Sequence, residues 1–372
     1  MRKILAFTLL LLLAPSPAPA CSLCGNLSRA VSLLHEFEQA DEILYGRIAN
    51  PKLEVKPGGL AGSGTTEFHI EKAVKHNPLQ PRGQMILLSR YLPILDAKDP
   101  PRFVMFYRKG SVQPYSGREV KSPLLLDFVA ALQRYRDNPT EMLLFAGKHL
   151  DHADPQIADE AFLAFARADD KLIGQVARKL APDKLRTLIK APELEPERLS
   201  MYAFLLGACG DASDLDLLRS FLKDTRNYKA FEGILAGYIT MRPQEGWAYM
   251  HELVKNETTP FLLRYASLRT MRFFYNAKPE ETGKQVMHGL GLALERADVA
   301  DIAITDLRKW QRWQHTALIL ACYDKTSHRA PIVKNSIVRY ALVCPQPEAR
   351  TFIEQVRRQD PELVRYLEEE LK

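Results

Sequence analysis

The sequence is poor in cysteine, in long apolar runs and in net charge, and each shortage closes off a class of protein. Five cysteines stand in 372 residues, and none lies between residues 25 and 208. An odd, widely spaced set is no disulfide framework. It leaves at least one thiol unpaired, lipidated or joined to another chain. After the first twenty residues no stretch approaches the roughly 20 apolar residues that cross a bilayer, so no integral span is expected. The formal charge is +6, and it falls to +4 when Arg2 and Lys3 leave with residues 1–20. So small an excess gives no footprint for nucleic acid.

Chemical signatures are equally sparse. There is no second C-x-x-C to complete a zinc site. His251-Glu252-Leu253-Val254-Lys255 opens like a zinc-protease helix but carries Lys where the second His is needed. Gly58-Gly59-Leu60-Ala61-Gly62-Ser63-Gly64 has no Lys for a phosphate and reads as a hairpin loop; Ser63 is in no nucleophile elbow. No catalytic residue and no cofactor are expected.

What is present begins at the N-terminus. Arg2 and Lys3 precede the ten-residue apolar run Ile4 to Leu13, and Ala18-Pro19-Ala20 places small residues at the cleavage-determining positions. Residues 1–20 are read as a secretory signal, with Cys21 as the first residue of the mature chain. The expected location is outside the cytoplasm, periplasmic or extracellular. A lipid on Cys21 is the alternative, disfavoured because Ala18 stands where lipoprotein signals carry Leu. Cys21 and Cys24 form the one close thiol pair. An oxidising compartment favours a disulfide between them; thiol redox chemistry is the competing reading, without the strand that precedes such motifs.

Composition changes near residue 122. Before it, Leu27, Ala30, Val31, Leu34 and Phe37 fall at helical spacing and predict a helix over 26–39. Ile43 to Ile48, Thr66 to Val74, Met85 to Leu88 and Phe103 to Tyr107 read as strands, the second alternating cleanly. After residue 122 the period is helical. Ser122-Pro123, Asn138-Pro139 and Asp154-Pro155 each pair a capping residue with the proline that opens a helix. Small residues recur at Ala158, Ala203, Ala230, Ala266, Ala300 and Ser336, the last three 34 and 36 residues apart. Leu263 to Arg269 parallels Val333 to Arg339. Helix pairs at such a period stack as an α-solenoid. The expected class is α+β and multidomain: a small β-barrel-like unit over 21–121, then an all-α repeat unit over 122–372.

Residues 122–372, with openings such as Asp154-Pro155-Gln156-Ile157-Ala158-Asp159-Glu160-Ala161, resemble degenerate HEAT repeats. The post-signal Cys21 and the strands Ala40 to Ile48 and Phe68 to Lys75 are similar to the netrin-like (OB-like) fold of the tissue inhibitors of metalloproteinases. The layout as a whole resembles exported bacterial HEAT-repeat-like proteins of unknown function. In the inhibitors the amine and carbonyl of the first cysteine chelate the protease zinc, and the resemblance would put that role on Cys21. This chain departs from them in having C-x-x-C for C-x-C and no later cysteines in the barrel.

Two other clusters merit attention. His149-Leu150-Asp151-His152-Ala153-Asp154 places two imidazoles at i, i+3, a secondary metal candidate; helix termination and capping by Asp154 explain it as well. Arg308-Lys309-Trp310-Gln311-Arg312-Trp313 interleaves bases and aromatics, and Trp310, Arg312 and Trp313 are the candidate binding surface. The leading expectation is a non-enzymatic protein-binding or scaffold protein whose partner is another protein. A protease inhibitor acting through Cys21, or a thiol- or metal-dependent enzyme, is the alternative.

Overall fold

The computed structural model describes residues 21–23, 31–54, 64–76 and 83–372. The leader, Cys24, the start of the expected 26–39 helix and the Gly58 to Ser63 loop lie outside these residues. Helix α1 (Leu33–Gln39) begins later than periodicity suggested, because Ser32 caps it, its side chain accepting from the His35 N–H at 3.2 Å. Five strands follow: β1 (Glu42–Leu53), β2 (Gly64–Lys75), β3 (Met85–Leu88), β4 (Arg102–Tyr107) and β5 (Ser116–Glu119). They form one antiparallel sheet in the order β3-β2-β1-β4-β5.

The two-residue period of the strands builds two cores. Ile43, Tyr45, Val104 and Phe106 face α1 and join the main core; Phe37 meets Phe106 edge to face at 5.9 Å between centroids. The alternate residues Leu44, Ile48, Phe68, Met105 and Tyr107 face the other way, under Leu92 and Ile94. β1 runs on past Ile48 through Asn50-Pro51. Asn50 takes a positive φ of 48° and the register shifts between Ala49 and Lys52, a bulge that accommodates the proline. The outer edge of β3 is closed by one side chain. The Gln113 amide donates to the Leu87 carbonyl at 2.9 Å and accepts from the Ser89 N–H at 3.0 Å. The loop before β5 thereby reaches round to the opposite edge, so the sheet curls toward a barrel without strand-to-strand closure among the described residues.

Sixteen α-helices follow among the described residues: α2 (Leu124–Arg134), α3 (Pro139–Gly147), α4 (Pro155–Arg167), α5 (Asp170–Ala177), α6 (Pro182–Leu188), α7 (Pro196–Cys209), α8 (Leu215–Lys223), α9 (Phe231–Met241), α10 (Pro243–Lys255), α11 (Phe261–Ala277), α12 (Pro279–Ala293), α13 (Ala300–Lys309), α14 (Thr316–Ala321), α15 (Pro331–Val343), α16 (Pro347–Gln359) and α17 (Pro361–Glu370). Nine of them carry proline in the first turn, so much of the proline content starts helices rather than breaking them. Asn138 and Asp154 cap α3 and α4 with their side chains, and Ser122 accepts from the Leu124 N–H.

From α5 to α17 the odd-numbered helices form one row, each packed on the next; α10 meets α12, and α14 meets α16, in the second layer. Ala266, Ala300 and Ser336 fall in equivalent helices of the odd row and are buried. Ion pairs link successive turns of the repeat: Arg264 to Asp298 at 2.6 Å, Arg272 to Asp306 at 2.7 Å and Arg339 to Glu370 at 2.5 Å.

The change from strand to helix lies between Glu119 and Leu124. Packing crosses it. Leu33 and Phe37 share one core with Phe128, Val129 and the repeat helices. Glu160 of α4, buried, accepts the Leu33 N–H at 2.9 Å and pairs with Arg118 of β5 at 3.1 Å. Burial pushes the Glu160 carboxyl above the usual range; the Leu33 N–H and Arg118 pull it back.

Candidate functional site

A buried polar constellation forms where α5, α7, α9 and α11 meet around the first described residues. Cys21 is 2% exposed and Leu23 fully buried, both in the main core. Asp170, at the start of α5, accepts the Ser22 N–H at 2.9 Å and also the Ser22 hydroxyl. Arg269 of α11 donates to the Ser22 carbonyl. Ser200 of α7 donates to the Leu23 carbonyl at 2.9 Å.

These side chains are held by their own neighbours. Asn276, seven residues beyond Arg269 on the same face of α11, donates to Asp170 at 3.1 Å. Arg269 forms a two-point ion pair with Glu232 of α9. The Ser200 hydroxyl accepts the Gly233 N–H at 3.1 Å, leaving its hydrogen for Leu23. That last contact needs α7 and α9 almost backbone to backbone. A Cβ at Gly233 would lie 2.0 Å from the Ser200 carbonyl oxygen, and one at Gly207 only 2.4 Å from the Gly237 Cα. Glycine is the residue that permits this approach.

Electrostatically the cradle is costly. Asp170 and Glu232 are both buried. Burial pushes the Asp170 carboxyl up, opposed by its bonds from Ser22 and Asn276. Burial pushes Glu232 up as well, opposed by Arg269. Buried carboxylates persist only where partners offset the desolvation. Here part of that offset comes from residue 22.

None of Asp170, Ser200, Glu232, Arg269 and Asn276 was singled out from sequence. A trace existed: Glu232 is the only charged residue between Ala230 and Met241 in an otherwise apolar helix. The four helix positions 170, 200, 232 and 269 are spaced by 30, 32 and 37 residues, about one per repeat.

The sequence-derived candidates fall elsewhere. Cys24 lies outside the described residues, and Cys209, Cys322 and Cys344 are free thiols. Burial raises the Cys209 thiol to about 11 and also raises Cys322, which keeps both protonated near neutrality. His149 and His152 do lie together, with ring centroids 6.0 Å apart, but their nitrogens serve the turn. The His149 Nδ1 donates to the Phe145 carbonyl at 2.9 Å, and the His152 Nδ1 accepts the Asp154 N–H at 3.0 Å. Among the described residues no three His, Cys, Asp or Glu side chains are grouped to hold a metal ion.

Trp310 and Trp313 pack on different neighbours. Trp310 stacks on Tyr275 of α11 at 3.8 Å, and the exposed Arg312 donates to the Tyr275 hydroxyl at 2.7 Å. Trp313 instead packs edge-on against the buried Tyr340 of α15 and lines a shallow depression with Arg308, Val343 and Pro345. The positive φ of Gln311, 53°, turns the chain between them. Tyr275, Trp310 and Trp313 are all half-buried against the main core, and Arg312 is the exposed member of the Tyr275–Trp310–Arg312 triad.

No family model matches this chain, and no curated protein matches it. Among solved structures it is similar to human deoxyhypusine hydroxylase in complex with glycerol, at 18% identity, over 66% of this chain and 88% of that one, with a TM-score of 0.27.

Proposed function

We propose that the protein is an exported, non-enzymatic scaffold that binds another protein through its helical-repeat surface. The observation that carries this reading is the Tyr275–Trp310–Arg312 triad. A half-buried aromatic stack with an exposed guanidinium is the chemistry of interface anchors, and it stands on helices fixed by ion pairs to their neighbours. The division into a sheet unit over 21–121 and a repeat unit over 122–372 is part of the same proposal, with the repeat unit as the binding element. A Cys21 that is 2% exposed favours this reading over an inhibitor whose first residue must reach an external zinc.

Trp310→Ala tests the reading. Trp310 is half-buried, so its truncation lowers the unfolding midpoint, and Arg312→Ala, at an exposed side chain, is the paired change that leaves the midpoint nearly unmoved. Proteins retained from the compartment into which the chain is secreted should fall at least about tenfold with either variant, a loss equal to 1.4 kcal/mol. Unchanged retention with Trp310→Ala and with Arg312→Ala would remove the surface assignment.

Export is tested separately. The secreted chain is expected to begin at Cys21, without lipid, and to weigh less than its reduced form by the two hydrogens that a Cys21–Cys24 disulfide removes. That pairing is supported by Cys209, Cys322 and Cys344 being free thiols while Cys21 is not among them. A diacylglycerol mass on Cys21, or alkylation of both thiols without reductant, contradicts it.

A further inference from the structure

We propose that the cradle of Asp170, Ser200, Glu232, Arg269 and Asn276 is a peptide-binding site, its ligand a short turn-forming segment with a hydroxyl residue followed by an apolar one, and that the chain's own Cys21-Ser22-Leu23 fills it in cis. The inference is independent of the Trp310 surface.

Four features carry it. The segment is read through its backbone: the N–H and carbonyl of Ser22 and the carbonyl of Leu23 each meet a side chain of the repeat helices. Ser22 and Leu23 lie in a turn, so main-chain groups of successive residues are offered to different helices, with side-chain seats adding selectivity. Here the seats are Asp170 for the Ser22 hydroxyl and the main core for Leu23.

Second, the cradle is organised without the segment. Asn276 holds Asp170, Glu232 holds Arg269, and the Gly233 N–H orients Ser200. Such preorganisation lowers the cost of binding. Third, Asp170 and Glu232 are both buried, and Glu232 also links α9 to α11 through Arg269, as Arg264 and Arg272 link their own helix to the next. Their desolvation is offset by Ser22 and Asn276 at Asp170, and at Glu232 by Arg269, which itself bonds the segment.

Fourth, the five side chains come from four consecutive odd-row helices, one each from α5, α7 and α9 and two from α11. A single segment crossing them joins residues 148 to 247 positions apart in sequence. A covalent tether gives the cis segment an effective concentration on the order of millimolar. A separate peptide therefore competes only poorly until the cis segment is unseated.

The test uses the full chain beginning at Cys21. Ser22→Pro together with Leu23→Asp removes the N–H and hydroxyl that Asp170 accepts and places a charge in the apolar seat. The probe is a labelled hexapeptide, Ala-Ser-Leu-Ala-Gly-Asn, which keeps the residue 22–23 pair and replaces both cysteines. It is expected to bind the vacated chain at least about tenfold more tightly than the unaltered chain, and adding Asp170→Asn should abolish that gain. Equal affinity for both chains, or equal binding of a control in which Pro-Asp replaces Ser-Leu, overturns the proposal. If the vacated chain does not fold, hydrogen exchange of residues 21–23 in the unaltered chain decides. Millimolar probe should accelerate it several-fold, and unchanged exchange overturns the proposal.

Discussion

Gly207→Ala is expected to destabilise the protein by about 3 kcal/mol or more, at the upper end of what overpacking costs. The new Cβ would sit 2.3–2.5 Å from the carbonyl oxygen, Cα and carbonyl carbon of Gly237. Those are backbone atoms of a buried helix, and no side-chain rotation relieves the clash. Gly233→Ala meets the Ser200 carbonyl oxygen at 2.0 Å and should cost a similar amount. Gly283→Ala is the control of opposite sign. It lies within α12 with nothing within 4 Å of its Cβ position, so the helix preference for Ala should stabilise by roughly 0.5–1 kcal/mol. Urea unfolding of the three variants checks all of this. A small loss for Gly207→Ala would mean that α7 and α9 are not in backbone contact.

The second large effect belongs to Arg269→Met. Removing one partner of a buried ion pair strands the other charge, at about 3–5 kcal/mol. Burial already raises the Glu232 carboxyl against the pull of Arg269, and without Arg269 it rises further. The native variant then holds a proton that the unfolded chain, with an ordinary glutamate, releases. Its stability is fullest in acid and falls as pH rises through the folded value. The loss relative to the unaltered chain should be largest at pH 8 and shrink toward pH 5. Equal losses at both would trace the effect to packing and to the missing bond to Ser22, not to a stranded charge.

Much of the architecture was legible because it rests on local rules. Asn138 and Asp154 each announced a helix through a cap and a proline, and both caps are made. The strand at 66–74 showed its buried face through Phe68, and Leu44 and Ile48 of β1 share that core. β5 was not legible. Ser116-Gly117-Arg118-Glu119 has no strand-forming side chain; it pairs with β4 through its backbone, and Arg118 ties it to Glu160 of α4. Glycine-mediated contact between α7 and α9 was likewise hidden, since small residues in a helix do not name their neighbour. The cradle was hidden most completely. Asp170, Ser200, Glu232 and Arg269 converge only through stacking of the repeats, and the segment they hold lies up to 247 residues away. The aromatic string at 308–313 was visible, but the turn at Gln311 that sends Trp310 to Tyr275 and Trp313 to Tyr340 was not.

Seating of the N-terminal residues on the repeat helices is tested most directly by a double-mutant cycle between Ser22 and Asp170. Ser22→Ala removes the hydroxyl that Asp170 accepts, Asp170→Asn removes the charge, and the pair is measured with both singles by urea unfolding of the chain beginning at Cys21. A hydrogen bond to a buried carboxylate should give a coupling of about 1.5–3 kcal/mol. Additivity within about 0.5 kcal/mol would show that the two side chains do not meet and would contradict the seating of Ser22 on Asp170.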